Sequence, residues 1–233
     1  MTVNGNGCLT CKVRKSSVLE PCAIGTLSAI STFKNSRKFE KGEFLFKEGD
    51  EVKGVFFIKK GVVKVLKEVP GYRTLIFKVC AKGEIVGHRG YDSKNIHKYS
   101  GVALSETECC FVPIVFFKEI LRDSPDLEKQ LMEEYLIDLE RMEQKSMSLA
   151  YKSVKEKVAE AILLVSGVYE YHVKRKSFNI DLSRQDFADL TGTTKEQVSA
   201  VLKEFSRDSL IRYSGKKFNF IDLDALKSVA ATY

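Results

Sequence analysis

The sequence lacks any run approaching the roughly 18 consecutive apolar residues that a membrane helix needs, so no membrane segment is expected. It has no basic stretch at its start leading into an apolar core, so no secretory signal is expected and a cytoplasmic protein is. No nucleophile–base arrangement, phosphate-cradling glycine loop or H-E-x-x-H motif appears, and an enzyme is not expected. The three histidines, His88, His97 and His172, show no metal-ligand spacing and read as surface or polar contacts. The six cysteines, Cys8, Cys11, Cys22, Cys80, Cys109 and Cys110, default to free thiols in a reducing compartment.

What is present is an ordinary globular composition, 44% hydrophobic and 30% charged, over 233 residues, enough for one large domain or two modest ones. The net charge is +7, and the excess is unevenly placed. Between Lys174 and Lys217 ten basic residues stand against six acids. A cationic stretch favours polyanions, because each neutralised phosphate releases counterions.

Residues 1–20 are polar, glycine-rich and basic and read as a loosely ordered arm. Ile24, Leu27 and Ile30 suit a short helix within 21–33. From Ser36 to Pro113, short β-branched and aromatic runs alternate with glycines: Phe44–Phe46, Val55–Ile58, Val62–Leu66 and Thr74–Phe77. That spacing predicts an all-β sandwich or barrel spanning 21–123. Ser124 and Pro125 then suit an N-cap and first helical residue. Met132, Tyr135, Leu139, Met142, Ser146 and Leu149 follow at spacings of 3, 4, 3, 4 and 3. This heptad stripe predicts a long helix over 124–150 that pairs with a copy of itself, against the alternative of a surface helix packed on its own β-domain. A further helix is expected from Val154 to Tyr171, and residues 151–233 form the last domain.

The chemistry concentrates in 183–206. Ser183 caps a first helix, with Asp186 three residues on. Phe187 and Leu190 face inward, and Gly192 supplies the sharp turn. Thr193 or Thr194 caps a second helix, with Glu196 placed to meet its free amides, and Val198, Val201, Leu202 and Phe205 form its apolar face. A B-DNA major groove about 12 Å wide admits one such helix. The residues left outward are Thr194, Lys195, Glu196, Gln197, Ser199 and Ala200. Glu196 can accept from a cytosine amino group and Gln197 can pair with adenine, while Arg184, Lys195 and Lys203 suit phosphates. Double-stranded DNA is therefore the expected partner. Leu210–Tyr213 and Lys217–Ile221 read as a β-hairpin wing.

An α+β chain with an N-terminal β-roll of the cyclic-nucleotide-binding type (jelly-roll), a long dimerisation helix and a C-terminal winged helix-turn-helix resembles the cyclic-AMP receptor / fumarate-nitrate-reduction (CRP/FNR) superfamily of transcription regulators. The residues that carry the resemblance are Lys41–Asp50, Val55–Lys64, Gly83–Gly87, Leu182–Asp186 and Thr194–Ser199. The resemblance implies a homodimer on a palindromic operator, contact with RNA polymerase, and an effector sensed in the roll near Gly87, His88, Tyr99 and Ser100. Two departures stand out. Relatives that bind cyclic nucleotides carry an arginine for the phosphate and a glutamate for the ribose; here the stretch is His97–Gly101, and His88 follows Gly87. Lysine cannot copy the bidentate grip of a guanidinium, so cyclic AMP is not expected as effector. Ala200 stands where many relatives place a guanine-contacting arginine. Glu196 and Ser199 match the oxygen-sensing branch.

That branch also bears on the cysteines. Cys110 lies where those relatives place an internal ligand of a [4Fe–4S] cluster, and Cys8, Cys11 and Cys22 could supply the other thiolates. Ten residues separate Cys11 from Cys22, more than in those relatives. Unligated thiols, a cluster and zinc remain as readings, the first being the default. Cys109 and Cys110 must point to opposite faces of a strand. The rival function is a ligand sensor or scaffold whose C-terminal helices contact proteins without DNA.

Overall fold

The computed structural model describes residues 7–68, 70–71, 73–90, 94–170 and 177–231. His172 and the basic run 174–176 lie outside them. Contacts divide the chain into two units, Met1–Val65 with Cys80–Glu140, and Leu66–Val79 with Arg141–Tyr233.

The first unit is built on a β-roll. Its strands are β1 (Asn35–Phe39), β2 (Phe44–Phe46), β3 (Gly54–Lys60), β4 (Val63–Lys67), β5 (Leu75–Cys80), β6 (Ile85–Val86), β7 (Ser100–Ala103) and β8 (Thr107–Pro113). They form two sheets, ordered β1-β8-β3-β6 and β2-β7-β4-β5. Leu66–Val79, which holds the end of β4 and most of β5, belongs to the second unit.

Side chains alternate across a strand, and β3 and β8 use both faces. Phe56, Ile58, Cys109 and Phe111 enter the roll interior with Phe46, Val63 and Cys80. Val55, Phe57 and Val112 face a second core with Leu27, Ile30, Phe117, Ile120, Leu127 and Leu131. The register Phe57↔Cys110 and Ile58↔Cys109 sends the two adjacent cysteines to opposite cores. The central strands β3 and β8 are thus a wall shared by two cores, which is why Val55–Ile58 and Cys109–Val112 read as continuous apolar runs.

Three helices cover the outer face of that wall: α1 (Ile24–Phe33), α2 (Ile114–Arg122) and the start of α3 (Pro125–Tyr151). Phe33 and Phe116 stack at 4.0 Å between centroids. The Thr26 hydroxyl donates to Ser124 Oγ at 2.9 Å, and the Asp126 carboxylate accepts the Ala23 N–H at the start of α1. Phe117 and Leu127 are fully buried, and each such side chain contributes about 1.5–3 kcal/mol relative to exposure.

The arm differs from the sequence expectation. Cys8–Thr10 and Lys12–Ser16 form 3-10 turns, and Cys8, Val18, Leu19 and Cys22 are buried in the outer core. Composition shows the polar residues of the stretch; Cys8, Val18 and Leu19, with Cys22 just beyond it, tie it down.

The second unit contains α4 (Val154–Val168), β9 (Ser177–Asn179), α5 (Arg184–Thr191), α6 (Lys195–Arg207), β10 (Ile211–Ser214), β11 (Lys217–Phe220) and α7 (Leu223–Ala230). Ser153 and Glu156 close a capping box at the start of α4, which packs on α5, α6 and α7. Val158, Ile162, Val165, Phe187, Leu202, Phe205 and Leu226 are buried there. The wing is three-stranded, ordered β10-β11-β9, with Phe178 opposite Phe218.

Candidate nucleic-acid interface

The turn between α5 and α6 is fixed by three local devices. Ser183 Oγ accepts the Asp186 N–H at 3.1 Å, and the Asp186 carboxylate accepts the Ser183 N–H at 2.7 Å. Gly192 takes the left-handed conformation at φ 65°, which costs glycine little. Its N–H and that of Thr193 both donate to the Ala188 carbonyl, ending α5 in a Schellman-type turn.

Thr194 is then the N-cap of α6. Its Oγ1 accepts the Gln197 N–H at 3.1 Å, while Gln197 Oε1 accepts the Thr194 N–H at 3.2 Å and the Thr193 hydroxyl. The expected cap partner, Glu196, is left out of the box and exposed. Gln197, expected to face adenine, has its carbonyl oxygen committed to the helix end. Thr193 and Thr194 each stand three residues before a Glu or Gln, so both boxes fit the sequence. The Thr193 N–H is taken by the end of α5, and the box moves one residue on.

Val198, Val201, Leu202 and Phe205 are buried beneath α6. Lys195, Glu196, Gln197, Ala200 and Lys203 are exposed, and Ser199 is half-buried with its hydroxyl on the Lys195 carbonyl at 2.8 Å. The free amides of a helix N-terminus and two lysines make this an anion-seeking face. Lys155 and Glu204 pair at 2.6 Å between α4 and α6 and hold the helix down. Arg184, at the start of α5, lies with its guanidinium 4.9 Å from the Tyr213 ring centroid and 5.6 Å from that of Phe218. Burial on the wing lowers its pKa. Stacking orients this arginine, a constraint that residue spacing does not disclose.

The stripe on α3 is placed differently from the expected one. Met132, Leu139 and Ser146 are exposed, but Tyr135 packs on the outer core of its own roll, its hydroxyl donating to the His88 carbonyl at 3.4 Å. Leu149 is half-buried against the turn at Gly192, and Met142 is half-buried. Leu136, Ile137 and Met147, absent from the expected stripe, are 58%, 42% and 51% exposed. Two apolar stripes run along this helix, and the sequence does not say which one its own roll takes.

Of the residues expected to meet an effector, Gly87 and Tyr99 lie beside the aromatic interior of the roll. The roll interior holds the rings of Phe46, Phe56 and Phe111, with Phe39 and Tyr99 packed against them. Phe46 lies directly on Gly101, where any Cβ would come within 2.4 Å of the ring. The Phe46 ring also stacks on His97 at 4.4 Å, and burial lowers the His97 pKa. Ser100 Oγ accepts the Glu48 N–H at 3.0 Å. Gly87 lies near the Phe46 and Phe56 rings, and His88 is buried with its ring 5.3 Å from that of Tyr135.

Of the four thiols that the cluster reading needs, Cys8, Cys11 and Cys110 line one pocket. Cys22 does not; its Sγ contacts the Val18 carbonyl at 3.5 Å, and burial, followed by Asp126, pushes its pKa up to about 11. Among the described residues no three His, Cys, Asp or Glu side chains form a group that could hold a metal ion. The four thiolates therefore do not fit a cluster in this arrangement. No helix among the described residues is long and apolar enough to cross a membrane.

The family model for the cyclic nucleotide-binding domain matches residues 36–124, and that for the Crp-like helix-turn-helix domain matches 156–229. The chain is 27% identical over 198 residues to the transcriptional activator protein Anr of Pseudomonas aeruginosa, covering 84% of this chain and 81% of that protein. It is 24% identical over 195 residues to the fumarate and nitrate reduction regulatory protein of Salmonella typhimurium, covering 83% and 78%. Among solved structures, FixK2 from Bradyrhizobium japonicum superposes with a TM-score of 0.77 at 20% identity, covering 86% of this chain and 98% of that one. A roll of this type followed by a wing-braced, doubly capped helix-turn-helix places the chain in the CRP/FNR superfamily: it is a DNA-binding transcription regulator.

Proposed function

We propose that the protein is a cytoplasmic homodimer that reads a two-fold-symmetric operator, inserting α6 of each protomer into successive major grooves about 34 Å apart. The observation that carries this is the free face of α6, where Lys195, Glu196, Ala200 and Lys203 are exposed on a helix whose opposite face is buried. Lys195 and Lys203 meet phosphates and Glu196 meets a base edge, with Ser199 and the remaining amide of Gln197 beside it. Arg184, oriented by Tyr213 and Phe218, adds a phosphate contact from α5.

Pairing runs through the exposed seam Met132, Leu136, Leu139 and Ser146, at heptad spacing, with Ile137 and Met147 at its flank. Unpaired, Met132, Leu136, Ile137, Leu139 and Met147 would stand in water, which supports a second copy of α3 as their cover. The protein meets RNA polymerase as a bound dimer, and the relatives' names support activation as its direction. The effector is not cyclic AMP. Supporting this are the aromatic rings inside the roll, the Ser100 hydroxyl committed to Glu48, and the missing arginine. Selection of bound sites from a random duplex pool tests the reading: recovered sites with inverted symmetry support it, and an unselected pool contradicts it. The scaffold alternative predicts the unselected pool.

A further inference from the structure

The outward face of α6 carries a chemical pattern that fits one base. Gln197 Oε1 accepts two bonds, from the Thr194 N–H at 3.2 Å and from the Thr193 hydroxyl. A main-chain N–H can only donate, so the first bond fixes which end of the amide is oxygen. An amide oxygen has two lone pairs, and both are used here. What the exposed Gln197 can offer a base is therefore its Nε2 hydrogens. Pairing with adenine needs the oxygen as well, to accept from N6. Cytosine presents its N4 donor in the major groove, which a second donor cannot meet. The bases that fit a donor alone are thymine, through O4, and guanine, through O6 and N7.

Ala200 separates these two. It stands three residues after Gln197 and four after Glu196, so it is the neighbour of both on the helix surface. It is exposed and presents a methyl group with no donor. Ser199 beside it donates its hydroxyl proton to the Lys195 carbonyl at 2.8 Å, so that proton is turned into the helix. An arginine at position 200 would pair with guanine O6 and N7; a methyl group packs against an apolar group instead. The thymine C5-methyl is the apolar group that the major groove displays. On thymine, O4 and the methyl group sit on adjacent ring atoms, within reach of two side chains one turn apart.

We propose that Gln197 and Ala200 together read one thymine in each half-site. Nε2 of Gln197 donates to O4, and the Ala200 methyl packs on the C5-methyl. The inference rests on the operator reading and adds to it the identity of a base next to the Glu196 contact.

The probe is the most enriched symmetric duplex that the full-length protein selects from a random pool. Each thymine of its half-site is replaced in turn by uracil, which lacks only the methyl, and affinity is read by fluorescence anisotropy. At one symmetric position uracil is expected to weaken binding about fourfold per half-site, the contribution of one buried methyl group. Ala200→Gly protein is expected to bind the thymine and uracil duplexes equally. At the same position 5-methylcytosine, paired with guanine, keeps the methyl and turns the acceptor into a donor, and is expected to weaken binding further. Ala200→Arg, which keeps a good helix former, is expected to change the selected base there from thymine to guanine. A symmetric site in which no uracil matters, a uracil effect that survives Ala200→Gly, or a thymine that survives Ala200→Arg overturns this inference and leaves the operator reading standing. An unselected pool overturns the operator reading, and this inference with it.

Discussion

Lys145, on the part of α3 that belongs to the second unit, donates from Nζ to the main-chain carbonyl of Ile76 on β5. The ammonium is removed from water, and burial lowers its pKa to about 8, with Glu160 opposing the shift. The unfolded chain therefore binds the proton more tightly than the folded one. Stability rises with pH between about 8 and 10.5, and below pH 8 the charged form costs folding on the order of 3 kcal/mol. Lys145→Met is expected to flatten that rise. Urea midpoints across this pH range check it; parallel curves for the variant and the wild type would remove Lys145 as the cause.

Glu196 and Gln197 are neighbours with separate jobs. Gln197→Ala opens the capping box and is expected to cost about 1 kcal/mol of stability, read from denaturant midpoints. Glu196→Ala leaves the cap intact and should leave stability unchanged. It should relax preference at one base pair, worth ~1–3 kcal/mol, in a binding-site selection profile.

The two stripes of α3 are separable by mutation. Leu136→Glu with Leu139→Glu places charge in the exposed seam and is expected to give a folded monomer by light scattering, with loss of operator binding. Tyr135→Ala should lower the unfolding midpoint and leave the oligomeric state unchanged, because that ring packs on its own roll.

Gly192→Ala is strained twice. Its φ of 65° is left-handed, and the added methyl would stand 2.9 Å from Leu149 Cδ2. A loss of about 1–2 kcal/mol is expected by chemical denaturation. The flexible leucine can give way, so the backbone contributes most of the cost.

Much of this fold is legible in the sequence, for physical reasons that differ by element. Ser183 with Asp186, and Gly192 between two apolar faces, are local signals, and the helix-turn-helix follows from them. The strands at Phe44, Val55, Val63 and Leu75 show themselves as β-branched or aromatic runs. β1 (Asn35–Phe39) does not, because it is an exposed edge strand of polar composition. β9 is three residues long and finds its partner across the chain in β11, so nothing local marks it. The seam on α3 is ambiguous because the helix meets two apolar surfaces. Arg184 shows its charge in sequence but not the rings that orient it. The three thiols come together from a turn and a distant strand, a convergence that spacing alone cannot give.

Fluorescence anisotropy of a labelled symmetric duplex, titrated with the dimer at several salt concentrations, tests the central claim most directly. The predicted result is a steep linear fall of log K with log[salt], made shallower by roughly one phosphate contact per protomer in Lys203→Ala. A binding constant insensitive to both salt and Lys203, or no binding to any duplex at low salt, would contradict it.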